Sequence, residues 1–162
     1  MPAAPKPAPR APKPRKPIAR KRATPRTRKT TSCITRGCKR SPTAAPHCLT
    51  HAKRKADELW GKAIRKDHCE LSDIGPCGGV IQACHLFSRG YMGTRYLLEN
   101  GLSGCAGHNF YAEIKPLEWD EYIRRRLGEK EYGRLRELAL NFGKRGERTD
   151  YAEVIATLGG KM

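Results

Sequence analysis

The sequence predicts a small α+β fold in which a strand pair and a short helix are stapled by metal, with helices flanking that core. Three observations carry the reading. Cysteines and histidines fall into two spaced sets, helical periodicity recurs along the chain while only one stretch looks like a strand, and the apolar supply is thin for a core held by burial alone. The expected organisation is a disordered basic arm at 1–30, a zinc knuckle at 31–52, the main domain at 53–145 and a C-terminal helix or tail at 146–162.

The arm comes first. The chain carries 33 Lys+Arg against 16 Asp+Glu, a formal net charge of +17. Residues 1–30 hold eleven of those cations, no acidic residue and eight of the twelve prolines, with Ile18 the only large apolar side chain after Met1. Such a segment cannot bury enough apolar area to offset chain entropy, so it is expected to be disordered or polyproline-like. It lacks the apolar run of a secretory signal, and no stretch of about 18 apolar residues suggests a membrane span. A surplus of positive charge favours a polyanionic partner, because neutralising phosphates releases counterions. The arm is therefore read as an electrostatic tether to nucleic acid.

Seven cysteines stand at 33, 38, 48, 69, 77, 84 and 105. An odd count with tight spacings argues for zinc over a secreted disulfide framework, since structural zinc takes four tetrahedral Cys/His ligands. Cys33, Cys38, Cys48 and His51 make one complete set, with His47 a rival to His51. The polar loop between Lys39 and His47, with Pro42 and Pro46, has no reason to order without a metal. Cys69 and Cys77, followed by Cys105 and His108, make the second set, with turn formers Asp73, Gly75, Pro76, Gly78 and Gly79 around its first half. Cys84, beside His85, is left over.

Past the knuckle, Ala56, Leu59, Trp60, Ala63 and Ile64 give a helix over Ala52–Lys66. Cys77–Phe87 is the strand candidate, its glycine pair suiting a turn into a hairpin, and Ser88–Gly104 reads as loop. A short helix is expected from Gly107 to Ile114, and Pro116 fits the first turn of the next, Leu117–Arg126. Gly128 breaks it before Glu129–Phe142, and Thr149 or Asp150 caps a last helix through Leu158.

Between the halves of the second cysteine set lie His85, Arg89, Arg95 and Asn100, with Asn109 directly after His108. Phosphodiester hydrolysis needs a base to activate water and a divalent cation to stabilise charge on phosphate and leaving oxygen. His85 suits the base and Asn109, at a helix start, a cation ligand, while Asn100 would pin the loop that orients His85. Arg89 and Arg95 are placed to grip phosphates.

These residues, followed by a Tyr/Leu-rich helical tail, resemble the HNH (ββα-metal, His-Me finger) nucleases of phages over roughly Asp57–Ala139. The chain looks most like the NinG/Rap recombination group and, more distantly, like phage endonuclease VII; the Cys33–His51 knuckle is similar to small fingers that accompany such proteins. The resemblance implies a nuclease domain at 53–145 with His85 as general base, Asn100 as the middle asparagine and Asn109 as the final metal ligand. It also implies that Cys69, Cys77, Cys105 and His108 bind structural zinc. Cys84 stands where many members carry an acidic ligand, so either its thiolate binds the catalytic metal or fewer protein groups hold that ion. His108 replaces a usual cysteine, and the Cys69–Cys77 spacing is longer than the common one.

The expected function is a metal-dependent DNA endonuclease, phage-encoded and active in recombination or DNA processing, on duplex or branched DNA. It would use two structural Zn²⁺ and a catalytic Mg²⁺ or Mn²⁺, act in the host cytoplasm away from membranes, and could work as a homodimer. The alternative is a non-catalytic zinc-finger nucleic-acid binder with a degenerate nuclease fold.

Overall fold

The computed structural model describes residues 32–44, 46–144 and 147–160. The basic arm expected at 1–30 lies outside them.

Helix α1 (Leu49–Ile64) starts directly after Cys48 and buries Ala52, Ala56, Leu59, Trp60 and Ile64, an apolar stripe at helical spacing. Strand β1 (Ile81–His85) pairs antiparallel with β2 (Gly101–Cys105), in a register that sets Ile81 opposite Cys105 and His85 opposite Gly101. The strand is shorter than expected at its start because Gly79 turns the chain there with φ +79°. A Cβ at that position would also stand 2.9 Å from the Ala106 Cβ. Strand β2 lies within a stretch expected to be loop. Its glycines and serine carry little strand propensity, and tertiary contacts hold it: Glu70 N–H donates to Ser103 O at 2.7 Å and Glu70 Oε2 accepts from Ser103 N–H at 2.8 Å.

The expected helix after β2 is two short ones, α2 (Ala106–Asn109) and α3 (Tyr111–Ile114). Pro116 opens α4 (Pro116–Leu127), where its missing N–H costs nothing. Gly128, at φ +75°, separates α4 from α5 (Glu129–Asn141). In α6 (Tyr151–Gly159) the cap is Asp150, whose carboxylate accepts from Ala152 N–H at 2.9 Å and Glu153 N–H at 3.2 Å.

The hairpin divides two apolar clusters. Side chains alternate along a strand, so Cys84 and Leu102 enter a cluster with Leu71, Leu86, Trp119, Tyr122, Ile123 and Tyr132. The opposite face meets α1: a Cβ on Gly101 would strike Ile64 and stand 2.8 Å from Trp60. There Leu59, Trp60 and Ile64 pack with Leu158 of α6. No helix among the described residues is long and apolar enough to cross a membrane.

Two candidate zinc centres and the His85 groove

Both expected cysteine/histidine sets converge. In each, the four ligating atoms lie within 4.8 Å of one another. A zinc ion at about 2.3 Å from sulfur and about 2.0 Å from nitrogen sets its tetrahedral ligands about 3.6–3.8 Å apart. In the knuckle, His51 Nδ1 lies 3.3 Å from Cys33 Sγ and 3.4 Å from Cys48 Sγ, and Cys38 Sγ lies 3.8 Å from Cys48 Sγ. In the second cluster His108 Nδ1 lies 3.3 Å from both Cys69 and Cys105 Sγ and 4.0 Å from Cys77 Sγ. Backbone N–H groups of Gly78 and Cys105 point at Cys105 Sγ and Cys69 Sγ, at 3.3 and 3.2 Å, as suits thiolates. These residues fit zinc, and they would hold it by bringing four lone pairs to one point.

Burial opposes ionisation of Cys33, but hydrogen bonds from the Cys48 and Thr35 backbone, the Thr35 hydroxyl and His51 outweigh it and bring its pKa down to about 5. Burial and the neighbouring Cys69 and Cys105 push Cys77 up to about 11. Three thiols this close cannot all ionise without a cation among them.

His85 sits on the other side of the hairpin from the main cluster. Its imidazole stacks on Trp60 with ring centroids 3.9 Å apart and planes 10° from parallel. Nε2 donates to the Arg95 carbonyl at 3.0 Å. A carbonyl only accepts, so that bond fixes the proton on Nε2 and leaves the Nδ1 lone pair free. Burial holds the pKa below the usual 6.5, the Arg95 hydrogen bond working against it. The ring is thus neutral at pH 7. It lines a groove of about 830 Å³ together with Arg89, Asn109, Glu113, Trp60 and Asp57.

Asn100 is fully buried and closes the 86–100 loop. Its Oδ1 accepts from Phe87 N–H at 2.7 Å, and Nδ2 donates to the carbonyls of Phe87 at 3.1 Å and Thr94 at 3.0 Å. Trp60 Nε1–H donates to Leu97 O at 3.1 Å, tying the same loop to α1. Arg89 is exposed at the groove with no side-chain partner among the described residues.

Three expectations need correction. Cys84 does not face the groove: strand alternation turns it into the core, and burial, then the nearby Cys69 and Cys105, push its thiol up to about 11. Arg95 is turned inward and nine-tenths buried, its guanidinium pairing with Asp57 at 2.9 Å and donating to Tyr96 Oη and Arg89 O. Asn109 ends the short helix α2 instead of opening a helix, because the chain turns again at Phe110. Its Nδ2 donates to Gln82 Oε1 at 3.1 Å, and its amide oxygen has no partner among the described residues.

The sequence reading missed Glu113, an exposed groove carboxylate without a side-chain partner among the described residues. It stands four residues after Asn109 but across the break between α2 and α3, so helical spacing offered no signal for it. The Asp57 partnership of Arg95 left no sequence signal.

The fold and clusters define a mixed α+β protein with a two-stranded sheet and two Cys3His groups that could hold zinc. Compared with family models, curated proteins and solved structures, the chain matches none.

Proposed function

We propose that this chain is a metal-dependent DNA endonuclease of the HNH type. One observation supports it above the others: an imidazole whose Nε2–H is held by the Arg95 carbonyl, and whose Nδ1 has no partner among the described residues, lines a groove shared with Asn109 and Arg89. A histidine in an ordinary structural role would not need a free lone pair in a solvent groove. In the proposed reaction Nδ1 takes a proton from water as its oxygen attacks the scissile phosphorus. The bond to the 3′-oxygen breaks, and that oxygen leaves with a proton from solvent. The Arg95 carbonyl keeps the imidazole in its tautomer, Trp60 keeps it in its plane, Asn100 closes the loop that carries Arg95, and Arg89 holds a neighbouring phosphate.

In this reading the Asn109 amide oxygen and the Glu113 carboxylate, hard oxygen donors that both line the groove, would hold Mg²⁺ or Mn²⁺, with Cys84 excluded by its orientation. When bound, such an ion supplies positive charge to the phosphate and the departing oxygen.

The test is nicking of supercoiled plasmid with added Mg²⁺ or Mn²⁺, comparing wild type with His85→Ala. Loss of the base should slow cutting roughly 10²–10⁴-fold. A variant that cuts as fast as wild type removes His85 from the chemistry. A wild type that binds DNA and cuts with neither metal would leave the zinc-finger binder as the reading.

A further inference from the structure

The net charge is not spread over the chain. The first acidic residue is Asp57, and residues 1–56 hold 17 of the 33 Lys+Arg; the other 16 face all 16 carboxylates in residues 57–162. The entire formal surplus of +17 therefore sits in the arm, the knuckle and the first half of α1, and the remainder is neutral by count.

Where that surplus falls on described residues it forms a surface. Arg40, on the knuckle, donates to Thr50 Oγ1 of α1 at 2.8 Å. Thr50, Lys53, Arg54 and Asp57 stand at i, i+3, i+4 and i+7, one row along the helix. Arg40, Lys53 and Arg54 are exposed, and the two α1 cations form no ion pair among the described residues. The first turn of α1 carries no acidic residue to oppose them. Several cations elsewhere are paired, Arg95 by Asp57, Arg124 by Asp120, Arg126 by Glu70 and Arg134 by Glu99 and Glu131, whereas Arg125, Lys130 and Arg136 have no ion pair among the described residues but are scattered over α4 and α5.

The row ends at the groove, since Asp57, Trp60 and Gly61 of the same helix line it. From Thr50 to Asp57 the helix rises about 10 Å, at about 1.5 Å per residue. Each DNA strand carries a phosphate about every 3.4 Å of duplex axis, so that length matches about three phosphates.

We infer that the zinc knuckle and the N-terminal half of α1 form a second, non-catalytic docking site for the DNA sugar–phosphate backbone, with Arg40, Lys53 and Arg54 as its phosphate contacts. The duplex runs from the groove along α1 toward the knuckle, and the Arg40–Thr50 hydrogen bond, in a knuckle whose ligands would hold zinc, sets Arg40 beside the helix cations. The direction of the duplex rests on the endonuclease reading; the docking itself does not.

Affinity of the full chain for a fluorescein-labelled 20-base-pair DNA is read by anisotropy without added Mg²⁺ or Mn²⁺. Three lost phosphate contacts should weaken binding of Arg40→Ala/Lys53→Ala/Arg54→Ala on the order of 10²-fold at 0.1 M salt. They should also reduce the slope of log affinity against log salt by about 2.7. The control Arg125→Ala/Lys130→Ala/Arg136→Ala removes equal charge from α4 and α5 and should change far less. Lys53→Glu, which leaves the knuckle untouched, should weaken binding more than Lys130→Glu, and this decides the matter if the triple variant loses zinc. Equal losses in test and control variants, or tighter binding of an RNA duplex of the same sequence, overturn the proposal. Plasmid cutting by the same proteins separates the two readings. A wild type that never cuts, with a triple variant weakened in binding, keeps the docking site and drops the nuclease. Cutting with affinity unchanged in the triple variant does the reverse.

Discussion

Replacing Asn100 by alanine should damage this fold more than almost any other polar substitution. The side chain is fully buried and makes three hydrogen bonds that close the loop between β1 and β2. Alanine leaves the Phe87 N–H without its 2.7 Å acceptor, at a cost of roughly 1–3 kcal/mol for a buried orphan donor. The carbonyls of Phe87 and Thr94 each lose a donor, though each keeps the option of water once the loop relaxes. Adding the vacated side-chain volume, the total comes to about 3–4 kcal/mol. A domain of this size has only about 5–15 kcal/mol to lose. Urea unfolding with zinc present, followed by tryptophan fluorescence, reads it as a lower midpoint at unchanged slope. Trp60 is a suitable reporter because it touches the loop through Leu97 O and stacks on His85. A loss below about 1 kcal/mol would mean that Asn100 does not hold the loop, and its role in orienting His85 would go with it.

Three other outcomes are expected. Cys105→Ser should halve the zinc content from two ions per chain to one by native mass spectrometry, because the knuckle ligands are a separate set; retention of two ions would contradict the second centre. Cleavage rate should rise with pH through a midpoint below 6.5, since burial depresses the His85 pKa and the base acts when neutral. By the same sign, the neutral ring favours the fold above its unfolded pKa of about 6.5, and that contribution fades as pH falls toward the folded value. A midpoint above 6.5 would point to another base. Arg95→Ala should lower the unfolding free energy by roughly 1–3 kcal/mol, having left the half-exposed Asp57 and the Arg89 carbonyl without their partner. Unchanged stability with weakened DNA binding would return Arg95 to phosphate contact.

Much of this was legible in the sequence because it rests on spacing. Both metal clusters follow from cysteine and histidine positions, and α1, α4, α5 and α6 follow from helical periodicity with Pro116, Gly128 and Asp150 marking their ends. What was not legible depends on pairing partners distant in the chain. Gly101–Cys105 has no strand signature of its own; it is a strand because Ile81–His85 and Glu70 offer hydrogen bonds on either side. Arg95 reads as a free cation until Asp57 is placed beside it. Cys84 and His85 are neighbours in sequence, yet the two-residue period of a strand sends them to opposite faces. Local chemistry suggested a shared site, and strand geometry separated them.

That separation has a consequence for how the metal centres and the groove depend on each other. The second cluster joins Cys69 and Cys77, before β1, to Cys105 and His108, at the end of β2 and within α2. Its ion would therefore lock the far end of the hairpin, at the Ile81–Cys105 pair, while His85 pairs with Gly101 at the other end. A slip of one residue in that register would turn His85 into the core and Cys84 out to solvent. Gly101 forbids most such slips, because only a residue without Cβ passes Ile64 and Trp60. With zinc bound, register would thus be held from both ends, by the Cys3His cluster at one and by a steric gate at the other. Gly101→Ala should then reduce cutting while both zinc ions stay bound, whereas Cys105→Ser should reduce both together. Should Gly101→Ala retain full activity, the steric gate has no part in placing His85.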